Sequence, residues 1–231
     1  MAHQIKLAGW KSGAVTHMEL PVVDLVLGGW TARNPAALEA HIRELAALGV
    51  AAPAQVPVFY RVASSLITTA STIDVIGTDS TGEVEFVLFH HSGEIWVGVG
   101  SDQTDRKAEA IGITLSKQLC AKPISSEVWA FSEIEAHWDE LKLRSYTESG
   151  GKTELYQEDH VSVLRHPRNL LELYRGQHGK SLVPGTVMFS GTPAARRKIE
   201  WAEKFVIELE DPVLGRLLKH AYEIRPLRIE G

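Results

Sequence analysis

The chain has 231 residues, 44% hydrophobic and 23% charged, which is enough apolar material for a sizeable folded core. Its formal net charge of −5 argues against a nucleic-acid or anionic-membrane partner, since the nearest basic patch, Arg196-Arg197-Lys198, is too short to reverse the overall field. A single cysteine, Cys120, excludes an internal disulfide and a multi-cysteine zinc site, and suits a reducing cytoplasm.

The opening MAHQIKLAGWK does not read as a secretory signal, and no charge-free apolar run approaches the roughly 18 residues of a membrane span, so a soluble cytoplasmic protein is expected. One domain over residues 1–231 is expected, with 1–27 as a variable N-terminal segment. The first clear element is a helix in NPAALEAHIRELAALG: Asn34 caps it, Pro35 suits its first turn and Gly49 stops it. Leu38, Ile42, Leu45 and Leu48 form its apolar stripe, with His41 on that stripe and Glu44 on its flank. VPVFYRVASSLIT then reads as a strand and loop, EVEFVLFH and EIWVGVG as paired strands, and RKAEAIGITLSKQLC as one helix. FSEIEAHWDELKLRSYTESGGKTELYQE reads as strands around a Gly-Gly turn, RHPRNLLELYR as a short helix, and GTVMFSG and KFVIELE as closing strands around a long loop. Strands and helices mix without a βαβ rhythm, which predicts an α+β fold with a largely antiparallel or mixed sheet.

The stretch GEVEFVLFHHSGEIWVGVGSDQTDR, residues 82–106, is apolar enough to be buried yet carries acids at both ends. Alternation puts Glu83 and Glu85 on one strand face, and a two-residue turn at Ser92-Gly93 places Glu83 opposite Asp102 and Glu85 opposite Gly100. Three carboxylates then converge. Facing like charges destabilise a sheet, and a hard divalent cation with oxygen ligands would remove the conflict. Solvated acids at an exposed hairpin edge fit the same spacing.

These residues resemble a pattern of the fumarylacetoacetate hydrolase family, in which an E-x-E strand is followed by D-x-T-x-R and then a lysine: Glu83-Val84-Glu85, Asp102 to Arg106, and Lys122 in CAKPI. His41 and Glu44 match the family's helical H-x-x-E, and LVPGTVMFSGTPA is similar to its P-G-D-x-x-x-T-G-T-P, with Thr192 at the second threonine. EKFVIELEDPVLGRLLKHAYEI looks like the closing strands, with a turn glycine at Gly215. The ordered blocks cover roughly residues 28–226. Four positions depart from the pattern: Lys107 and Glu109 after Arg106, Thr186 for the aspartate of P-G-D, and Ser190 for the first threonine. These departures suit a divergent bacterial branch and leave the substrate open.

The resemblance implies a mixed β-sandwich roll with short flanking helices, usually a homodimer. It implies Mg²⁺ or Mn²⁺, with Ca²⁺ a third candidate, held by Glu83, Glu85 and Asp102. It further implies His41 as general base oriented by Glu44, Lys122 beside a developing oxyanion, Arg106 on a substrate carboxylate, and the Gly191-Thr192 turn as donors to the same ligand. The implied activity is a hydrolase or lyase cleaving a carbon–carbon bond of a small, acylpyruvate-like oxo acid through a metal-bound enolate. Hydration or dehydration, decarboxylation and isomerisation use the same scaffold, and a noncatalytic metal- or ligand-binding protein is the reading of a different class. Other chemistries lack their motifs. GQHGKS, read as a loop, is too short for a phosphate cradle, and neither G-x-S-x-G nor H-E-x-x-H occurs.

Overall fold

The computed structural model describes residues 3–36, 38, 39, 42, 43, 53–179 and 181–230. The centre of the molecule is the expected hairpin, with strands Val84–His91 and Glu94–Ser101. Ser92 and Gly93 both take positive φ, 50° and 77°, which matches the right-handed twist of the strands they join. Register follows: Val84 pairs with Ser101, Glu85 with Gly100, and the Asp102 amide donates to the Glu83 carbonyl at 2.9 Å.

This hairpin lies within an eight-stranded mixed sheet, in the spatial order 14–22, 3–11, 127–130, 94–101, 84–91, 186–189, 24–29 and 58–62. A second sheet has five strands in the order 152–160, 142–149, 204–211, 216–227 and 72–76. The predicted α+β class with a mixed sheet is what the chain adopts. One face of the central hairpin sends Val84, Phe86 and Leu88 into a core shared with Leu143, Phe205, Ile207 and Tyr222 of the second sheet. The other sends Val87 and Phe89 into a core with Ile5 and Leu20 from one end of the large sheet and Leu25 and Leu27 from near the other. Residues from distant strands meet there, so the large sheet is rolled. A strand buried on both faces needs a nearly continuous apolar run, which is what EVEFVLF supplies apart from its acids.

Four elements differ from the expectations. Residues 3–11 and 14–22, for which no element was expected, form a hairpin at the edge of the large sheet, and 3–11 pairs in parallel with 127–130. The single helix expected after Asp105 is two short ones, Arg106–Glu109 and Ile113–Gln118, because the chain turns extended at Gly112. Phe131–Ile134 and Glu135–Glu140 are helical rather than stranded, since Phe131, Ile134 and Trp138 bury one face at helical spacing. Residues 176–178 of GQHGKS extend the helix Pro167–His178 instead of forming a loop, and Gly179 ends it at φ 67°. At the first helix, the Asn34 side chain accepts from the Ala36 amide at 2.9 Å, the expected cap, and Leu38 is buried. His41, Glu44, Leu45, Leu48 and Gly49 lie outside the described residues.

Candidate metal centre and its cleft

The open end of the hairpin brings the three predicted carboxylates together. Ligand oxygens of Glu83, Glu85 and Asp102 lie within 4.8 Å of one another. Glu85 and Asp102 are only 2% and 1% exposed, so the alternative of solvated edge acids does not describe them. The pleat aims Glu85 to the Val87 and Phe89 side, while Glu83 and Asp102 sit just beyond the paired region.

Loop 190–193 closes over Glu85 because strand Thr186–Phe189 runs antiparallel to 84–91. The Gly191 amide donates to Glu85 Oε2 at 2.7 Å. Gly191 has φ 91°, and a Cβ there would come within 2.1 Å of Thr31 Oγ1, so only glycine delivers that N–H. Thr192 donates its hydroxyl to the Val84 carbonyl at 2.8 Å and accepts from Gln157 Nε2 at 2.7 Å. Gln157 also accepts from the Val84 amide and from Ser145, and donates to the Pro193 carbonyl. This buried amide fastens the loop to the hairpin, and nothing in local sequence periodicity marks it.

Cations surround the acids. Arg106 reaches Glu83 Oε1 at 3.0 Å and Glu109 Oε2 at 3.2 Å, and its Nε donates to Thr81 Oγ1 at 2.7 Å. The fully buried Lys122 Nζ spends its three protons on the Gln103 carbonyl at 2.6 Å, the Lys117 carbonyl at 2.6 Å and Asp102 Oδ1 at 3.1 Å. Lys117, absent from the sequence expectations, donates to Asp102 Oδ2 and lies 3.6 Å from Glu83 Oε2. Asp105, outside the predicted ligand set, caps the helix at 106 through the Ala108 amide at 2.8 Å.

The electrostatics follow from these contacts. Burial, reinforced by the charge of Asp102, pushes the Glu85 carboxyl well above the ordinary carboxylate range. Burial of Asp102 is outweighed by Lys117 and Lys122, which hold it below that range. Burial also opposes the Lys117 charge, but Asp102, Glu83 and Glu85 outweigh it and raise the ammonium above the usual lysine value. For Lys122 burial wins and the value falls. Burial pushes the nearby Cys120 thiol up to about 11, which leaves it protonated and unreactive at neutral pH.

A cleft of about 500 Å³ opens onto this cluster, lined by Glu83, Glu85, Arg106, Glu109, Lys117 and Thr192 among others. Asp102 and Lys122 stand behind that lining. Trp30 and Tyr60 form an aromatic wall, with the indole N–H donating to the phenol oxygen at 3.3 Å. Trp30 holds φ 61°, a conformation that bulky residues rarely adopt and that is more common at functional sites. A smaller cleft of about 260 Å³ contains Lys152 and Arg197, both already paired with Glu154.

The donor set, all carboxylate oxygen beside a partly open cleft, could hold a metal ion, and oxygen donors suit a hard one. The high Glu85 value agrees, because a buried acid beside another acid is relieved by a cation. Lys117, whose ammonium meets Asp102 Oδ2 and lies 3.6 Å from Glu83 Oε2, does not belong to such a ligand set.

A model of a family described as a protein of unknown function, DUF2848, matches residues 28–222. The chain belongs to this family. No curated protein matches it. Solved structures similar to this DUF2848 chain include yeast ynq8, a fumarylacetoacetate hydrolase family protein, at 14% identity and TM-score 0.62, covering 91% of this chain and 97% of that one. A 2-keto-3-deoxyarabinonate dehydratase matches at 13% identity and TM-score 0.62, with 95% and 86% covered. The 4-oxalocrotonate decarboxylase of Pseudomonas putida, complexed with magnesium and adipate, matches at 15% identity and TM-score 0.57, with 86% and 76% covered. The fold is therefore the fumarylacetoacetate hydrolase fold, as the ordered motifs implied. Among the described residues no helix is long and apolar enough to cross a membrane.

Proposed function

We propose that this protein is a divalent-metal-dependent hydrolase or lyase that cleaves a carbon–carbon bond of a small oxo acid. The observation that carries the proposal is the convergence of Glu83, Glu85 and Asp102 within 4.8 Å, with Glu83 and Glu85 lining a cleft that also holds cationic side chains and Asp102 just behind them. These three carboxylates would hold Mg²⁺ or Mn²⁺, with Ca²⁺ a third candidate. When bound, the cation would bind adjacent substrate oxygens and offset the negative charge that develops when the leaving carbon departs as an enolate.

The chain's own residues have separable tasks. Gly191 orients Glu85 through its N–H, and Lys122 fixes Asp102 from behind with an ammonium that has no proton left for substrate. Arg106 orients Glu83, so a substrate carboxylate approaching the guanidinium exchanges with Glu109 at the rim. Thr192 shapes the cleft wall with a hydroxyl engaged on both sides. His41, oriented by Glu44, is proposed as the general base on the strength of the motif alone. Homodimerisation is proposed with the same fold and is read by light scattering of the native protein.

A second reading, dehydration or decarboxylation on the same scaffold, is favoured by the structural similarity to a dehydratase and a decarboxylase. Turnover of a panel of acylpyruvates, 2-oxo-3-deoxy sugar acids and 2-oxo dicarboxylates with Mn²⁺, each against EDTA and against His41→Asn, separates these activities. Metal-dependent turnover that His41→Asn abolishes supports the hydrolase assignment. Metal binding without turnover of any member points to a noncatalytic binding protein.

A further inference from the structure

Lys117 occupies an oxygen that a metal would need. Asp102 has two carboxylate oxygens, and Oδ1 is held by Lys122 at 3.1 Å and faces the Thr104 hydroxyl at 3.4 Å. The remaining oxygen, Oδ2, accepts from Lys117, which also lies 3.6 Å from Glu83 Oε2. An ammonium therefore sits against two of the three proposed metal ligands. The three ligand oxygens lie within 4.8 Å of one another, and a divalent ion bonds oxygen at roughly 2.0–2.6 Å, so metal and ammonium compete for the same space.

The two neighbouring lysines are not equivalent. Lys122 is held by two backbone carbonyls and does not line the cleft. Lys117 is on the last turn of the short helix Ile113–Gln118 and lines the cleft, and its Nζ meets the side-chain carboxylates of Asp102 and Glu83. A flexible four-carbon stem lets such an ammonium turn through several ångströms while its backbone stays fixed.

Resting on the metal reading above, we propose that Lys117 is a built-in cation that exchanges with the divalent metal: it neutralises Asp102 and Glu83 in the metal-free protein, and metal entry releases it into the cleft, where it binds the anionic part of the substrate. The exchange keeps the buried carboxylates paired in both states. It also links metal loading to the appearance of an anion-binding group, so an anionic ligand meets a complete site only after the metal has bound. Lys117 is thereby a specificity residue that selects ligands with an oxyanion or carboxylate next to the metal-chelating oxygens.

Two measurements test this. Calorimetric titration of Mn²⁺ into the wild type, Lys117→Met and Lys117→Gln reads the competition directly. Loss of the competitor is expected to tighten Mn²⁺ binding by about tenfold or more, the scale on which residues around metal ligands act. Oxalate affinity for the Mn²⁺-loaded variants is expected to fall. In the wild type, acetic anhydride labelling followed by mass spectrometry is expected to modify Lys117 more with Mn²⁺ than with EDTA, while Lys122 stays protected in both. Unchanged or weaker Mn²⁺ binding in both variants, or Lys117 labelling that is indifferent to Mn²⁺ in a wild type that binds it, would overturn the exchange. Mn²⁺ binding by the variants but not by the wild type would also overturn the exchange, since Lys117 would then replace the metal permanently. Failure of all three proteins to bind Mn²⁺ overturns the metal reading itself, and the exchange with it.

Discussion

The two ends of one hairpin treat their carboxylates differently. At the turn end, Glu94 is paired with Lys11 at 2.7 Å, and both side chains remain partly in water. At the open end, Glu85 and Asp102 are buried, and each oxygen with a partner has one fixed in place by another element of the fold. Water screens the first pair, so little depends on its geometry. The second group has no such screen, and its cost is offset only while amide, lysines and hairpin stay in register. The same residue type on the same two strands thus gives a surface ion pair at one end and a candidate reaction centre at the other.

Breaking the buried end should produce the largest effects. Asp102→Asn leaves Lys117 and Lys122 without their shared carboxylate and is expected to destabilise the metal-free protein by roughly 3–5 kcal/mol in urea unfolding. Calorimetry should also show Mn²⁺ binding lost in Asp102→Asn and Glu83→Gln but retained in Asp105→Asn, whose side chain serves the helix cap. Gly191→Ala, which meets both a positive φ and Thr31, is expected to cost about 1–3 kcal/mol and to lower the melting temperature by several degrees.

The pH dependence sharpens the comparison. Glu85 has its folded value raised, so its contribution favours the folded state below the ordinary carboxylate value of about 4.3 and is lost as pH rises through the folded value. Glu85→Gln, measured with EDTA, is expected to melt higher than wild type at pH 8, with the difference shrinking as the pH falls. Asp102, with its value lowered, has the opposite sign: its contribution is present above about 3.9 and is lost in acid. Because Glu85 must shed its proton to take up a cation, Mn²⁺ affinity should climb with pH and titration should release protons. The smallest effect belongs to the turn end, where Glu94→Gln is expected to change stability by no more than about 1 kcal/mol.

The hairpin was legible in the sequence because register there depends on a local signal, the Ser-Gly turn, and alternation carries that register out to Glu83 and Asp102. The ordered motifs made the fold legible as well. Lys117 was not, because its approach to Asp102 depends on the chain breaking at Gly112 and restarting as a second helix, which side-chain periodicity does not record. Gln157 was hidden for a related reason: its partners at Val84, Ser145 and Pro193 are brought together by the packing of two sheets. The strands at 3–11 and 14–22 pair with each other across Ser12-Gly13, a turn with the same two positive φ values as Ser92-Gly93, so that hairpin was legible in principle; what local sequence does not carry is the parallel pairing of 3–11 with 127–130, more than a hundred residues away.

The most direct test of the metal centre is a thermal melt of the wild type with EDTA, with Mn²⁺, with oxalate, and with Mn²⁺ and oxalate together. A ligand at 100 times its dissociation constant adds about 2.7 kcal/mol, a readily measured shift for a chain of this size. Stabilisation by Mn²⁺, with a further increment from oxalate only when Mn²⁺ is present, is the result that three carboxylates forming an open metal site predict. A transition that neither Mn²⁺ nor the Mn²⁺–oxalate pair moves would contradict it and would leave Glu83, Glu85 and Asp102 as a buried cluster neutralised by lysine and arginine alone.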